Sequence, residues 1–258
     1  MGIWDNYQDR IQTKGGSKRG AALKREIRYI NNRLPDNLSY CTAEVDGASQ
    51  EVAIINTDIL TEKFIHSMPG EDVRRGALVY WMDSYWLVTE RDENVTLHTR
   101  ARMIQCNHLL KWVDDDDIIR EQWCVIQDGT KYLTGELEDR TFTTTRGDSR
   151  IAMTIAKNEH TVKFRRDYRF LIDDPESPFK LAYLLTKPFK LGGIYNGDGV
   201  YKFVLQEVVV IEDDNQELGI ADYYKHFPKT DSSVDVSEED ITINPDNVST
   251  ETGKKVWL

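Results

Sequence analysis

The chain has 258 residues, enough for one large domain or two small ones with real cores. Its 44 acidic residues against 33 lysines and arginines give a net charge of -11, which argues against general nucleic-acid binding by charge alone. The hydrophobic fraction is 40%, and no apolar run approaches the roughly 20 residues that a membrane span needs.

Met1 is followed by Gly2-Ile3-Trp4-Asp5, without the basic and apolar regions of a secretory leader, so synthesis in a cytoplasm is expected. Ile3, Tyr7 and Ile11 recur four apart, with Trp4 beside them, and predict a short amphipathic helix over residues 1–12. Gly15-Gly16 is a hinge. Ser17 can cap a second helix in which Leu23, Ile27, Ile30 and Leu34 repeat at helical spacing before Pro35 ends it. Lys18, Arg19, Lys24, Arg25, Arg28 and Arg33 decorate that helix. They read as a solvated face offsetting the chain's acidity, or as a contact for nucleic acid or an acidic partner.

From Leu38 to Thr57 the pattern is extended, with Asp46-Gly47 as a hairpin turn. Lys63 to Gly70 reads as a connector closed by a Pro69-Gly70 turn. A meander follows from Ala77 to Leu137. Leu78–Met82 and Tyr85–Thr89 flank a turn at Asp83-Ser84. Val95, Leu97, Ala101 and Met103 alternate with Thr96, His98, Arg100 and Arg102. His108–Val113 and Ile119–Ile126 are split by Asp114-Asp115-Asp116-Asp117, read as a solvated turn, and Asp128-Gly129 turns into Lys131–Leu137.

Arg140 to Asp148 is polar and lacks apolar periodicity, so it marks a boundary; Arg146-Gly147-Asp148 within it reads as a turn. Further strands are expected at Ile151–Ile155, Tyr168–Ile172, Lys180–Thr186 and Val200–Ile211. Leu191–Gly199 is Gly-rich but lacks the Lys-Ser/Thr of a phosphate loop and reads as mobile. One echo runs through the chain. Arg74-Arg75-Gly76-Ala77-Leu78 with Tyr85-Trp86-Leu87-Val88-Thr89 parallels Arg165-Arg166-Asp167-Tyr168-Arg169 with Ala182-Tyr183-Leu184-Leu185-Thr186. It reads either as duplication of a unit or as the common look of two hairpins. From Lys229 onward polar residues dominate up to an apolar Val256-Trp257-Leu258 tip, the pattern of an arm. The resulting division is 1–35 helical, 36–140 first β domain, 141–222 second β domain and 223–258 C-terminal arm.

Catalytic patterns are absent from this reading. There is no Gly-x-Ser-x-Gly or His-Glu-x-x-His, and Asp114–Asp117 fails the calcium-loop spacing, so no catalytic residue, metal or cofactor is expected. Cys41, Cys106 and Cys124 follow no metal spacing and read as reduced core thiols, with a Cys106–Cys124 disulfide the other option. Asn94-Val95-Thr96 and Asn247-Val248-Ser249 match the glycosylation pattern by chance. Trp81, Tyr85, Trp86, Trp112 and Trp123 fit an aromatic core, or a platform for sugars or bases if they are exposed.

Four phrases resemble structural proteins of tailed bacteriophages. They are Leu34-Pro35-Asp36-Asn37-Leu38-Ser39-Tyr40, Ser67-Met68-Pro69-Gly70-Glu71, Tyr85-Trp86-Leu87-Val88-Thr89-Glu90, and Thr99-Arg100-Ala101-Arg102-Met103-Ile104-Gln105-Cys106-Asn107-His108 with Leu109-Leu110-Lys111-Trp112 after it. Their order resembles that of head-to-tail connector (neck) proteins of the head-closure or stopper kind. The resemblance implies a mainly β fold of one or two small β-barrel units, with short N-terminal α-helices and an extended C-terminal arm. It implies a structural, non-catalytic virion protein in a homo-oligomeric ring, sixfold or twelvefold, between portal or adaptor and tail proteins. Such a ring closes the head and touches packaged DNA transiently, and no membrane is involved. The other reading is a β-rich carbohydrate- or single-stranded nucleic-acid-binding module. Candidate assembly contacts are Ile3, Trp4, Tyr7, Tyr223, Tyr224 and Trp257, with both chain ends ordering against neighbours. Candidate channel loops are those of Arg140 and Arg146, and of Gly193, Asn196 and Gly197.

Overall fold

The computed structural model describes residues 3–13, 15–92, 97–128, 150–174 and 176–228. The segments at 93–96, 129–149 and 229–258 lie outside the described residues. With them go the expectations for Val95, Lys131–Leu137, Arg140, Arg146 and Trp257, and both glycosylation patterns.

Two helices open the chain, α1 at Ile3–Thr13 and α2 at Lys18–Arg33. Gly15 and Gly16 adopt φ of +115° and +69° between them, a backbone that side chains disfavour. The Ser17 hydroxyl accepts the Gly20 N–H at 3.0 Å and caps α2. No residue of α2 is buried.

Six strands then close into an antiparallel barrel: β1 (Tyr40–Val45), β2 (Ala48–Asn56), β3 (Glu62–Ser67), β4 (Leu78–Trp81), β5 (Ser84–Arg91) and β6 (Arg100–Gln105). They are hydrogen-bonded in the order β1-β2-β3-β6-β5-β4, with β4 returning to β1. Asp46-Gly47 makes the first hairpin turn, both residues at positive φ, as expected of this dipeptide. The expected connector at Lys63–Gly70 is instead largely strand β3. Its alternation is hidden because Ser67, an inward residue, is polar; its hydroxyl is satisfied by the Glu71 carbonyl (2.9 Å) and the Thr99 N–H (2.8 Å). The next turn falls on Met82-Asp83 rather than Asp83-Ser84. Trp81 pairs with Ser84, and both turn residues take the left-handed conformation.

A second sheet follows: β7 (His108–Val113), β8 (Ile119–Asp128), β9 (Arg150–Ala156), β10 (Arg169–Ile172), β11 (Leu181–Phe189), β12 (Ile194–Tyr195) and β13 (Asp198–Val208). Its order is β7-β8-β9-β13-β11-β10, with β12 attached to β13 as a short hairpin. The order repeats that of the first barrel, strand for strand. The register repeats too: Val79 pairs with Trp86 as Phe170 pairs with Tyr183, and a bulge at Thr89 is matched by one at Thr186. Gly76 (φ +83°) donates to the Val88 carbonyl at 2.8 Å, and Asp167 (φ +74°) donates to that of Leu185 at 3.1 Å. The echo in the sequence therefore marks equivalent hairpins of two units with one connectivity, the pattern of a tandem duplication. The ladders change from one unit to the other at Cys106-Asn107, so β7 and β8 belong to the second unit and the sheet boundary does not lie at 140.

The second sheet curls until β7 and β10 are neighbours, but no ladder joins them. The packing explains the difference. Val45 and Val79 are direct partners across the closing seam of the first barrel, with Val73 buried beside them. The matching positions hold Trp112, Phe170 and Phe164. Phe164 stands edge-on to both other rings, at 5.0 and 5.1 Å, and this bulk holds the strands apart. A shared cluster of Leu87, Cys106, Val125, Ala156 and Val200 joins the two units. All three cysteines are free. Cys106 and Cys124 are buried, and burial pushes the Cys106 thiol up to about 12 and the Cys124 thiol further still.

Candidate binding groove and assembly surfaces

A groove of about 590 Å³ lies where the two barrels meet, a volume within the range of small-ligand sites. Tyr80 and Tyr85 are cross-strand partners on β4 and β5, with ring centroids 4.9 Å apart. Trp123 of β8 stacks on Tyr85 at 4.9 Å and an 18° interplanar angle. These three rings form a stepped aromatic wall. Glu44, Glu121, Arg74 and Lys157 surround it, together with the amides of Gln122 and Asn158, which bond to each other at 2.6 Å. Arg74 spans the junction: it binds Asp46 of the first hairpin turn at 2.7 Å and lies 3.9 Å from Asp198 of β13. Such a wall can stack on flat apolar faces, while carboxylates and amides take hydroxyl groups.

Of the five aromatics that composition suggested for a platform, Trp86 and Trp112 are buried in separate cores. Trp81 packs half-buried against the first core, and only Tyr85 and Trp123 line the groove. Tyr80 was missed by the sequence reading. Its place opposite Tyr85 follows only from the turn at Met82-Asp83.

Asp114 is not part of a solvated turn. It is 1% exposed and accepts from the Asp115 N–H at 2.9 Å, with the His160 ring nitrogen at 3.0 Å and Lys163 at 3.3 Å. Burial by itself would raise its carboxyl, but the Asp115 N–H, Lys163 and His160 outweigh that and hold it below the ordinary carboxylate range. The arrangement anchors the β7–β8 loop to the short 3₁₀ turn Thr161–Lys163. Among the described residues, no group of His, Cys, Asp and Glu is arranged to hold a metal.

The assembly candidates fall in different settings. Ile3 begins α1; Trp4 and Tyr7 are exposed and meet edge-on at 6.2 Å. Tyr223 and Tyr224 sit half-buried in a four-residue helical turn. Tyr223 packs on Phe227 at 4.9 Å, and Tyr224 takes the Asn215 amide at 3.4 Å. Gly193, Asn196 and Gly197 belong to the β12–β13 hairpin and not to a shapeless loop. Asn196-Gly197 is its turn, and Gly193 lies against the Val200 carbonyl, so close that a β-carbon would come within 2.5 Å. Lys157 donates to the Gly197 carbonyl and braces the tip.

No family model, curated protein or solved structure matches the chain.

Proposed function

We propose that the chain is a structural, non-catalytic subunit of a tailed-phage particle, acting in a neck ring between portal and tail that closes the head and passes DNA. The observation that supports this most is the pair of N-terminal helices. Helices of eleven and sixteen residues are marginal in isolation and are normally stabilised by burying one face. Here no α2 residue is buried, and Trp4, Tyr7 and Tyr29 face solvent, which suits an element ordered by a neighbour in an assembly. The net charge of -11 fits a ring that must let DNA slide, because each neutralised phosphate would add affinity. The braced Asn196-Gly197 tip is the described candidate for a loop reaching the channel.

Deletion of the gene tests the reading. Electron microscopy of the lysate should show capsids that package DNA but neither retain it nor join tails. Normal, tailed, DNA-filled particles without the protein would remove the neck assignment, and failure of shells to form would move the protein into the capsid.

The stepped wall of Tyr80, Tyr85 and Trp123 favours a second reading, a carbohydrate-binding module. The groove's carboxylates fit sugar hydroxyls and do not fit a phosphate backbone, which needs a basic track. Trp123→Ala would then abolish retention on immobilised glycans that wild type binds. Wild type failing to bind a broad glycan array would exclude this reading.

A further inference from the structure

The two N-terminal helices and the body differ in charge. Residues 1–33 contain eight lysines and arginines against three acids, in a chain of net charge -11. On α2, Arg25 lies 3.7 Å from its neighbour Glu26, and Arg33 covers the ring of Tyr29 at 5.7 Å. Lys18, Arg19, Arg28 and Arg33 form no ion pair among the described residues. Trp4, Tyr7, Ile11, Leu23 and Tyr29 are exposed beside these cations. The helix pair is thus apolar and basic, and among the described residues no residue of α2 is buried.

The body carries a face of the opposite kind. Ala182 of β11 pairs with Val208 of β13, so Leu181 and Val209 lie side by side where that ladder ends. Gln216 bonds both backbone groups of Lys180, at 2.8 and 3.3 Å, and Arg169 donates to the Val209 carbonyl at 3.1 Å. These bonds hold segment 209–219 against the β10–β11 hairpin. Two cations belong to this face: Lys180, between Phe179 and Leu181, lies against Gly219 with its ammonium 3.5 Å from the Ser177 carbonyl, and Arg169 is neutralised by Asp214 and Asp222, each at 2.8 Å. Exposed on the assembled surface are Phe179, Leu181, Val209 and Leu218. Glu176, Glu207, Glu212 and Glu217, on the same segments, are exposed and form no ion pair among the described residues.

We propose that the N-terminal helices of one copy dock on the Phe179/Leu181/Val209/Leu218 face of a second copy, with their arginines and lysines set against the exposed glutamates of those segments. The charges select the partner: the cations of the helices meet a segment whose exposed glutamates outnumber Lys180, beside an apolar centre, the layout of a protein interface with a polar rim. The helices are about 16 and 24 Å long, enough to cover a patch of ordinary interface size. Because the helices and the patch are different surfaces, the contact is heterologous and propagates from copy to copy until it closes a ring or extends as a filament. Ring closure rests on the neck reading; the contact itself does not.

The test uses the full chain and its mass in solution by sedimentation at low salt. Wild type should self-associate with rising concentration. Arg28→Glu with Arg33→Glu should weaken association about tenfold, as should Glu212→Arg with Glu217→Arg, and all four together should restore it. All four side chains are exposed, so unchanged urea midpoints will show that each variant is folded. A chain that stays monomeric at its highest soluble concentration overturns the docking and leaves the neck assignment, which is judged on particles, standing. Association indifferent to the reversals, or a fourfold variant no better than either pair, overturns it as well. Reversals that spare self-association but block incorporation into particles would assign the helices to a different virion protein, and so would also overturn it.

Discussion

Gly76 meets Gly199 across the junction of the two barrels so closely that a β-carbon on Gly76 would lie 2.3 Å from the Gly199 carbonyl oxygen. Gly76 also sits at φ +83°, so two independent reasons exclude a side chain there. Gly47 has a similar φ of +80° but open space around it. Gly47→Ala should therefore cost about 1 kcal/mol, from backbone strain alone. Gly76→Ala should cost about 2–4 kcal/mol, because overpacking of the junction adds to the strain. Urea unfolding of the two variants checks this, and equal losses would mean that the barrels are not tightly docked at Gly76.

The aromatic wedge at the open seam of the second barrel makes a second test. Phe164 is fully buried and touches rings on both sides of the gap between β7 and β10. Phe164→Ala should cost about 3–5 kcal/mol, since the surrounding rings cannot collapse fully into the space. The smaller Val73, its counterpart in the first barrel, should lose less on truncation to alanine. A reversed ranking in calorimetry would contradict the equivalence of the two sites.

Asp114→Asn should lower stability by about 2–3 kcal/mol at neutral pH, because it removes the buried anion that Lys163 and His160 face. The Asp114 carboxyl is held low in the folded protein. Its contribution is therefore present above the ordinary aspartate pKa and is lost as pH falls below that value toward the depressed one. The stability difference between wild type and variant should shrink on acidification below about pH 4. A difference independent of pH would show that packing, not charge, dominates at this position.

His66 titrates in a separate window. Burial lowers its pKa to about 4, and repulsion from His98, 5.5 Å away ring to ring, and from Arg100 adds to the effect. The folded ring is neutral where the unfolded one takes up a proton. Stability is therefore full above about pH 6.5 and falls as pH drops toward 4. The loss should be on the order of 1–2 kcal/mol, since solvent screens this partly exposed ring. His66→Gln should flatten the urea-midpoint profile between those values; an unchanged slope would place the acid sensitivity elsewhere.

Much of the local structure was legible in the residues. Ser17 after Gly15-Gly16 announced the start of α2, Asp46-Gly47 announced a hairpin, and alternating residues gave the phase of β6, because caps, turns and strand alternation depend on neighbours a few positions apart. Even the repeated hairpin was visible, as paired arginines and threonine-ended strands at Arg74–Thr89 and Arg165–Thr186. Those positions proved to share one register. The tertiary structure decided the rest. Lys63–Ser67 hid as a connector because His66 and Ser67 are polar, and only the partner strands β2 and β6 make it a strand. Asp114 looked solvated among four aspartates until Lys163 and His160, far along the chain, enclosed it. The groove at Tyr80, Tyr85 and Trp123 needed both barrels in place, and whether the second barrel closes depended on three aromatic rings where the first has valines. Local geometry is written in short-range pattern, whereas burial, closure and the meeting of surfaces depend on residues that only folding brings together.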